Sequence, residues 1–244
     1  LRSVISDLDF WNWIESNVRF PNCMVDRIVP APDKDNRLLI KTEIFNQWII
    51  ENDPISEYLK DAGVKFVADV KPYELAKIRL FNGVHSFLAY YGELHEIEYV
   101  ADVIRIPAVA DYVKAMQEEE IIKTLNLDTD LYSYAEEIRN RMRNQSLKHR
   151  SRQIAMDGSQ KLPQRIIGTI NDLEAKNIQA ERLLNVLNTW IKYLATSNSI
   201  NDPLATNLSA LAKSENFAEI FAQLSTPLNQ KALDRISGLS ITFD

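Results

Sequence analysis

The chain has 244 residues, 45% of them hydrophobic, enough for one large core or two modest ones. Its formal net charge of −6 and pI near 5.3 exclude a long-range attraction of the whole molecule for nucleic acid or anionic lipid. No run approaches the roughly 20 apolar residues that cross a bilayer, no secretory signal opens the chain, and the single cysteine, Cys23, excludes an intrachain disulfide, so a soluble cytoplasmic protein is expected.

In chain order, SDLDFWNWIE (residues 6–15) reads as an amphipathic helix with Ser6 or Asp7 as N-cap. It follows directly on Leu1, which is not a methionine, and the chain is expected to be a piece of a longer one. MVDRIVPA, LLIKTE and VKFVADV are short, β-branched and bounded by Pro, Asp, Asn or Gly, which predicts strands at 24–31, 38–43 and 64–70, with a polar turn at 31–36. From Pro72 onward Gly and Pro become rare, and helical periodicity predicts long helices over 73–91, 108–124, 129–143, 161–175 and 179–195. A mixed α/β segment at 1–70 followed by a mainly helical part at 71–244 is the organisation this implies.

Glycines at 63, 83, 92, 158, 168 and 238 fit neither a G-x-G-x-x-G turn nor a phosphate-binding P-loop. Three histidines and one cysteine give no zinc-like spacing, so no metal site is expected. One basic run stands out: RNRMRNQSLKHRSR (139–152) holds six cationic side chains plus His149 and no acid. Such a run is either a solvated helix face or an anion site. A nucleic-acid interface is disfavoured by the acidic total and by the absence of interleaved aromatics.

The stretch ELAKIRLFNGVH (74–85) sets Glu74, Lys77, Asn82 and His85 inside an otherwise apolar run. Taken as an α-helix at about 100° per residue, it places all four within an arc of about 140° on a helix apolar almost all round. A lysine desolvated there can serve as a base, a carboxamide can donate to a carbonyl oxygen as it gains charge, and an imidazole can hold a hydroxyl. That set suits oxidation of an alcohol or reduction of a ketone. The structural alternative is a Lys77–Glu74 pair, with Asn82 and His85 satisfied by backbone.

KIRLFNGVHSFLAY, with Lys77, Asn82 and His85 in the order K-x-x-x-x-N-x-x-H, resembles the signature of the mannitol dehydrogenase family of polyol-specific long-chain dehydrogenases, which includes fructuronate reductases. FPNCMVDRIVPA (20–31) and QIAMDGSQKLPQR (153–165) extend the resemblance in family order. It implies NAD (or NADP) as cofactor, no metal, and a Rossmann-like N-terminal domain joined to a mainly helical C-terminal substrate domain, with 1–70 the end of the cofactor side. By motif, Lys77 corresponds to the general base, Asn82 to one of two carbonyl-polarising carboxamides, His85 to a substrate-binding residue and Glu74 to a proton-passage glutamate. Asp26 and Lys161 correspond to substrate contacts; a salt bridge and a solvated side chain are their plain alternatives. The resemblance assigns no cofactor-binding residue within the chain and puts the nucleotide-binding half ahead of Leu1, so the 244 residues alone are expected to be inactive.

Mannitol-type members carry arginine where this chain has Gln153, whereas KHRSRQIAMDGSQKLPQR is closer to the hexuronate type. A uronate brings a carboxylate, which arginine recognises bidentately. His149 and Arg150 are therefore the expected carboxylate site, and D-fructuronate and D-mannonate the expected substrates ahead of fructose and mannitol.

Overall fold

The structure, a computed structural model, describes residues 2–30, 35, 36, 38–54 and 56–236. Residues 31–34 of the expected turn lie outside the described residues. The chain forms two compact units: Leu1–Arg27 with Asn46–Glu74, and Ile28–Phe45 with Leu75–Asp244.

In the first unit Asp7 caps the helix Leu8–Asn17, its carboxylate accepting from the Phe10 N–H at 3.0 Å. Three strands follow: β1 (Cys23–Asp26), β2 (Gln47–Glu51) and β3 (Lys65–Val67). β1 pairs antiparallel with β2, placing Met24 opposite Ile49, and β2 pairs parallel with β3. Met24, Ile49 and Val70 form this unit's core, with Val67 and Tyr73 packed against it. Gly63, at φ 72°, ends the short 3₁₀ turn Lys60–Ala62 in the left-handed region open to glycine.

The strand predicted at 38–43 does not form. Among the described residues Ile28 and Glu43 instead share a single backbone bond, Glu43 N–H to the Ile28 carbonyl at 3.3 Å, supplemented by side chains: the Ile28 N–H donates to Glu43 Oε1 at 2.6 Å, and Thr42 Oγ1 donates to the Ile28 carbonyl at 3.0 Å. One backbone bond is too few for a ladder, the carboxylate and hydroxyl take the remaining Ile28 bonding, and Leu38 and Ile40 stay exposed. The strand that does form, QWIIE, has equal β character and gains a partner on each side.

The second unit is helical around one large core. Val84–Leu94 is buried from Val84 through Gly92, as its nearly all-round apolar sequence requires. It packs against Glu181–Thr196, which buries Leu183, Leu184, Val186, Leu187, Trp190 and Leu194. No side chain at the N-cap position of that second helix caps it; Glu120 does so from elsewhere in the chain, accepting from the Arg182 and Leu183 N–H groups at 2.8 and 3.0 Å.

Several predicted helices contain wide π-turns. The block at 108–124 runs as α-helix Pro107–Ala115, π-turn Met116–Glu120 and 3₁₀ turn Ile121–Thr124. That at 161–175 is broken by a π-turn, Pro163–Ile167, and that at 73–91 by another, Lys77–Gly83. Asp157, at φ 57°, occupies the N-cap position of Gly158–Leu162, and Ser159 bonds Asp202 through both its N–H and its hydroxyl.

Candidate active site

The site begins at the π-turn Lys77–Gly83. On a regular α-helix Lys77 and Asn82 would point about 140° apart. An i→i+5 ladder instead holds more residues in each turn, so positions 77 and 82 are separated by a smaller angle than that. Regular α-helix resumes at Val84 and carries His85. Lys77 and Asn82 are half-buried, and the Asn82 carboxamide makes no hydrogen bond within the described residues. The 100°-per-residue projection therefore fails across 77–83.

His85 is buried. Its ring lies 4.9 Å from Phe81 and meets His149 edge-on at 5.0 Å between centroids. Burial, then the neighbouring His149, Arg165 and Arg141, hold its pKa well below the ordinary imidazole value. Burial also lowers that of His149, whose Nδ1 is enclosed without a partner. Both rings border a cavity of about 10 Å³, also lined by Arg141 and Asn144, at the lower limit for one water molecule.

Two arginines that sequence reasoning left without a role shape this region. Arg141 forms a two-point bond to Glu43, at 3.0 and 2.8 Å, and its guanidinium lies over Phe45 and Phe81. Arg165, half-buried, donates to Ser86 Oγ at 3.1 Å and to the Asn82 carbonyl at 3.4 Å. Lys161 is half-buried, with Nζ donating to the Met156 carbonyl at 2.6 Å, and burial followed by Arg165 lowers its pKa. Arg165 thus acts electrostatically on both His85 and Lys161. The one sequence signal for it was its place at the end of the motif 153–165.

The basic run divides. Arg139 is buried against Gln117 and Glu118, and Arg141 against Glu43, so neither belongs to a solvated face. Lys148, Arg150 and Arg152, with Lys41, line a cleft of about 1040 Å³ together with Gln153 and Met156. Arg150 pairs with Glu98 at 3.2 Å, both largely exposed, and Arg152 bonds Ser199 at 2.6 Å. Arg150 therefore faces the cleft while His149 faces His85; the expected pair is not brought to one point. Asp26 and Glu74 belong to the first unit, Asp26 buried on β1 and Glu74 exposed.

Among the described residues no three or more His, Cys, Asp or Glu side chains gather to hold a metal ion, and no helix is long and apolar enough to cross a membrane. A nicotinamide dinucleotide needs a strand, a glycine turn and a helix N-terminus for its pyrophosphate. The described sheet, one antiparallel and one parallel pair with no such glycine turn, does not supply that cradle.

A helical unit carrying this site, in a chain that also forms a small α/β unit, has the make-up of a long-chain dehydrogenase's substrate half. The profile of the mannitol dehydrogenase C-terminal domain matches residues 69–232, and that of the mannitol dehydrogenase Rossmann domain matches 2–61. The chain belongs to the mannitol dehydrogenase family of oxidoreductases. It is 38% identical to the D-mannonate oxidoreductase of Escherichia coli (93% of this chain, 49% of the relative) and 32% identical to a mannitol 2-dehydrogenase of Phaeosphaeria nodorum (85% and 41%). Its fold matches the Pseudomonas fluorescens mannitol 2-dehydrogenase in ternary complex with NAD and D-mannitol, with a TM-score of 0.80 and 28% identity over 95% of this chain and 54% of that one. The chain spans about half the length of the curated relatives it matches.

Proposed function

We propose that residues 1–244 form the substrate-binding and proton-transfer part of a cytoplasmic, NAD(P)-dependent oxidoreductase that interconverts D-fructuronate and D-mannonate. In this reading 1–70 close the cofactor side, 71–244 bind substrate, and turnover requires the Rossmann-like nucleotide-binding part of the same protein. The cofactor supplies the hydride acceptor. The Lys77 amine takes the hydroxyl proton during oxidation, and Glu74 helps pass that proton onward. The Asn82 amide donates to the oxygen as it becomes a carbonyl, and His85, held neutral, orients a substrate hydroxyl. Asp26 and Lys161 contact the sugar chain.

The observation that carries the substrate choice is the cleft at Gln153, where Lys41, Lys148, Arg150 and Arg152 gather. A carboxylate gains charge-assisted hydrogen bonds there that an uncharged polyol cannot make. Arg150 is the main carboxylate partner; His149, turned toward His85, does not line this cleft. The 32% identity to a mannitol 2-dehydrogenase keeps fructose and mannitol as the second reading.

Steady-state kinetics on the full-length polypeptide test the choice. The expected kcat/KM for fructuronate exceeds that for fructose by at least roughly 10-fold, the scale of one charge-assisted hydrogen bond, and Arg150→Ala erodes the preference. Equal or better turnover of fructose removes the hexuronate assignment.

A further inference from the structure

Two π-turns meet at Gly83. A Cβ built there would lie 3.3 Å from the Arg165 carbonyl oxygen and 3.4 Å from Ile166 Cδ1, so the backbones of 77–83 and 163–167 approach closely. At this crossing the Arg165 guanidinium reaches from one turn to the other. It donates to Ser86 Oγ at 3.1 Å and to the Asn82 carbonyl at 3.4 Å, and Ser86 Oγ itself donates to that carbonyl at 3.2 Å. The backbone oxygen of Asn82 thus receives two side-chain donors. Arg165 Nε is enclosed without a partner, so among the described residues the guanidinium is held by this contact pair.

We propose that Arg165 is a positioning residue: with Ser86 it clamps the C-terminal end of the first π-turn, fixing where the Asn82 carboxamide and the His85 imidazole point. The inference rests on the reading of Asn82 as a carbonyl-polarising group. A π-turn is uncommon and persists where its surroundings hold it; the clamp and the close fit at Gly83 supply that. Loss of the clamp lets the turn shift by a fraction of an ångström, enough to cost rate without removing any group that binds substrate.

The test uses the full-length enzyme with Arg165→Met, Arg165→Lys, Ser86→Ala and Asn82→Ala, each confirmed folded by circular dichroism. Arg165→Met is expected to lower kcat by roughly 10- to 100-fold with KM changed less than about threefold, and added guanidinium ion should restore part of kcat. Arg165→Lys, which keeps the charge and a donor on a shorter side chain, should retain intermediate activity. If Arg165→Met does not fold, the lysine and Ser86→Ala variants carry the test through the same split between kcat and KM. Unchanged kcat, or a rise in KM alone, overturns the inference while Asn82→Ala remains inactive. An active Asn82→Ala variant instead overturns the reading on which it rests.

Discussion

The His85 imidazole shows how a single side chain is tuned by its walls. Hydrocarbon burial and three nearby basic groups all disfavour the imidazolium, so the ring stays neutral and keeps one donor and one acceptor for a hydroxyl. The same tuning makes folding sensitive to acid. His85 and His149 bind a proton more weakly folded than unfolded, so between the folded pKa and the ordinary value of 6.5 the unfolded chain takes up more protons. Stability therefore rises with pH through that window and falls on acidification through it, levelling off below the folded pKa, by at most about 1.4 kcal/mol per pH unit for each ring. Urea unfolding at pH 7.5, 6.5 and 5.5 should show a shallower acid slope for His85→Gln than for the parent; equal slopes would remove this account. Of the residues gathered here, Lys77, Asn82 and His85 were legible in the sequence because their types and spacing are chemically unusual in an apolar run, whereas Lys161 is singled out only by the resemblance of its motif. Arg165 was not legible, because an arginine near a helix start reads as a surface cation unless its neighbours in space are known.

At the level of elements, the π-turns were the least legible feature. Apolar groups at 78, 80, 81 and 84, in and just after the seven-residue turn Lys77–Gly83, satisfy a 3.6 period closely enough that hydrophobic patterning cannot reveal an i→i+5 ladder. The central helices were legible for the opposite reason, since a long run apolar on every side has few other places to go. The strand at 47–51 was missed because QWIIE and LLIKTE carry similar β character, and only available partners decide between them. Tight packing between elements is a further property hidden from the sequence. Gly158 lies against the two largest core side chains: a Cβ there would sit 2.5 Å from Trp190 Nε1 and 2.7 Å from the Tyr90 hydroxyl. Gly158→Ala should therefore destabilise the protein by about 1–3 kcal/mol, read as a lower urea midpoint at unchanged slope. A midpoint equal to the parent's would show that the Trp190 and Tyr90 rings yield easily.

On the scale of the whole molecule, chain order and spatial organisation diverge. Residues 28–45 lie between segments of the first unit in sequence, yet they belong with the helical unit. Glu43 ties them there through a buried two-point bond to Arg141, 98 positions away, while Phe45 lies under the same guanidinium. Both partners are almost fully buried, so removing one charge leaves the other stranded. Glu43→Gln is expected to cost about 3–5 kcal/mol in urea unfolding, and the double variant Glu43→Leu with Arg141→Met should recover most of it. A single-variant loss below about 1 kcal/mol would mean that solvent reaches the pair. A gene truncated to begin at residue 71 would thus encode helices stripped of their own strap. Any attempt to express the substrate half by itself has to carry that upstream stretch along, by permutation or by co-expression, because cutting between the two sequence halves severs one folded body.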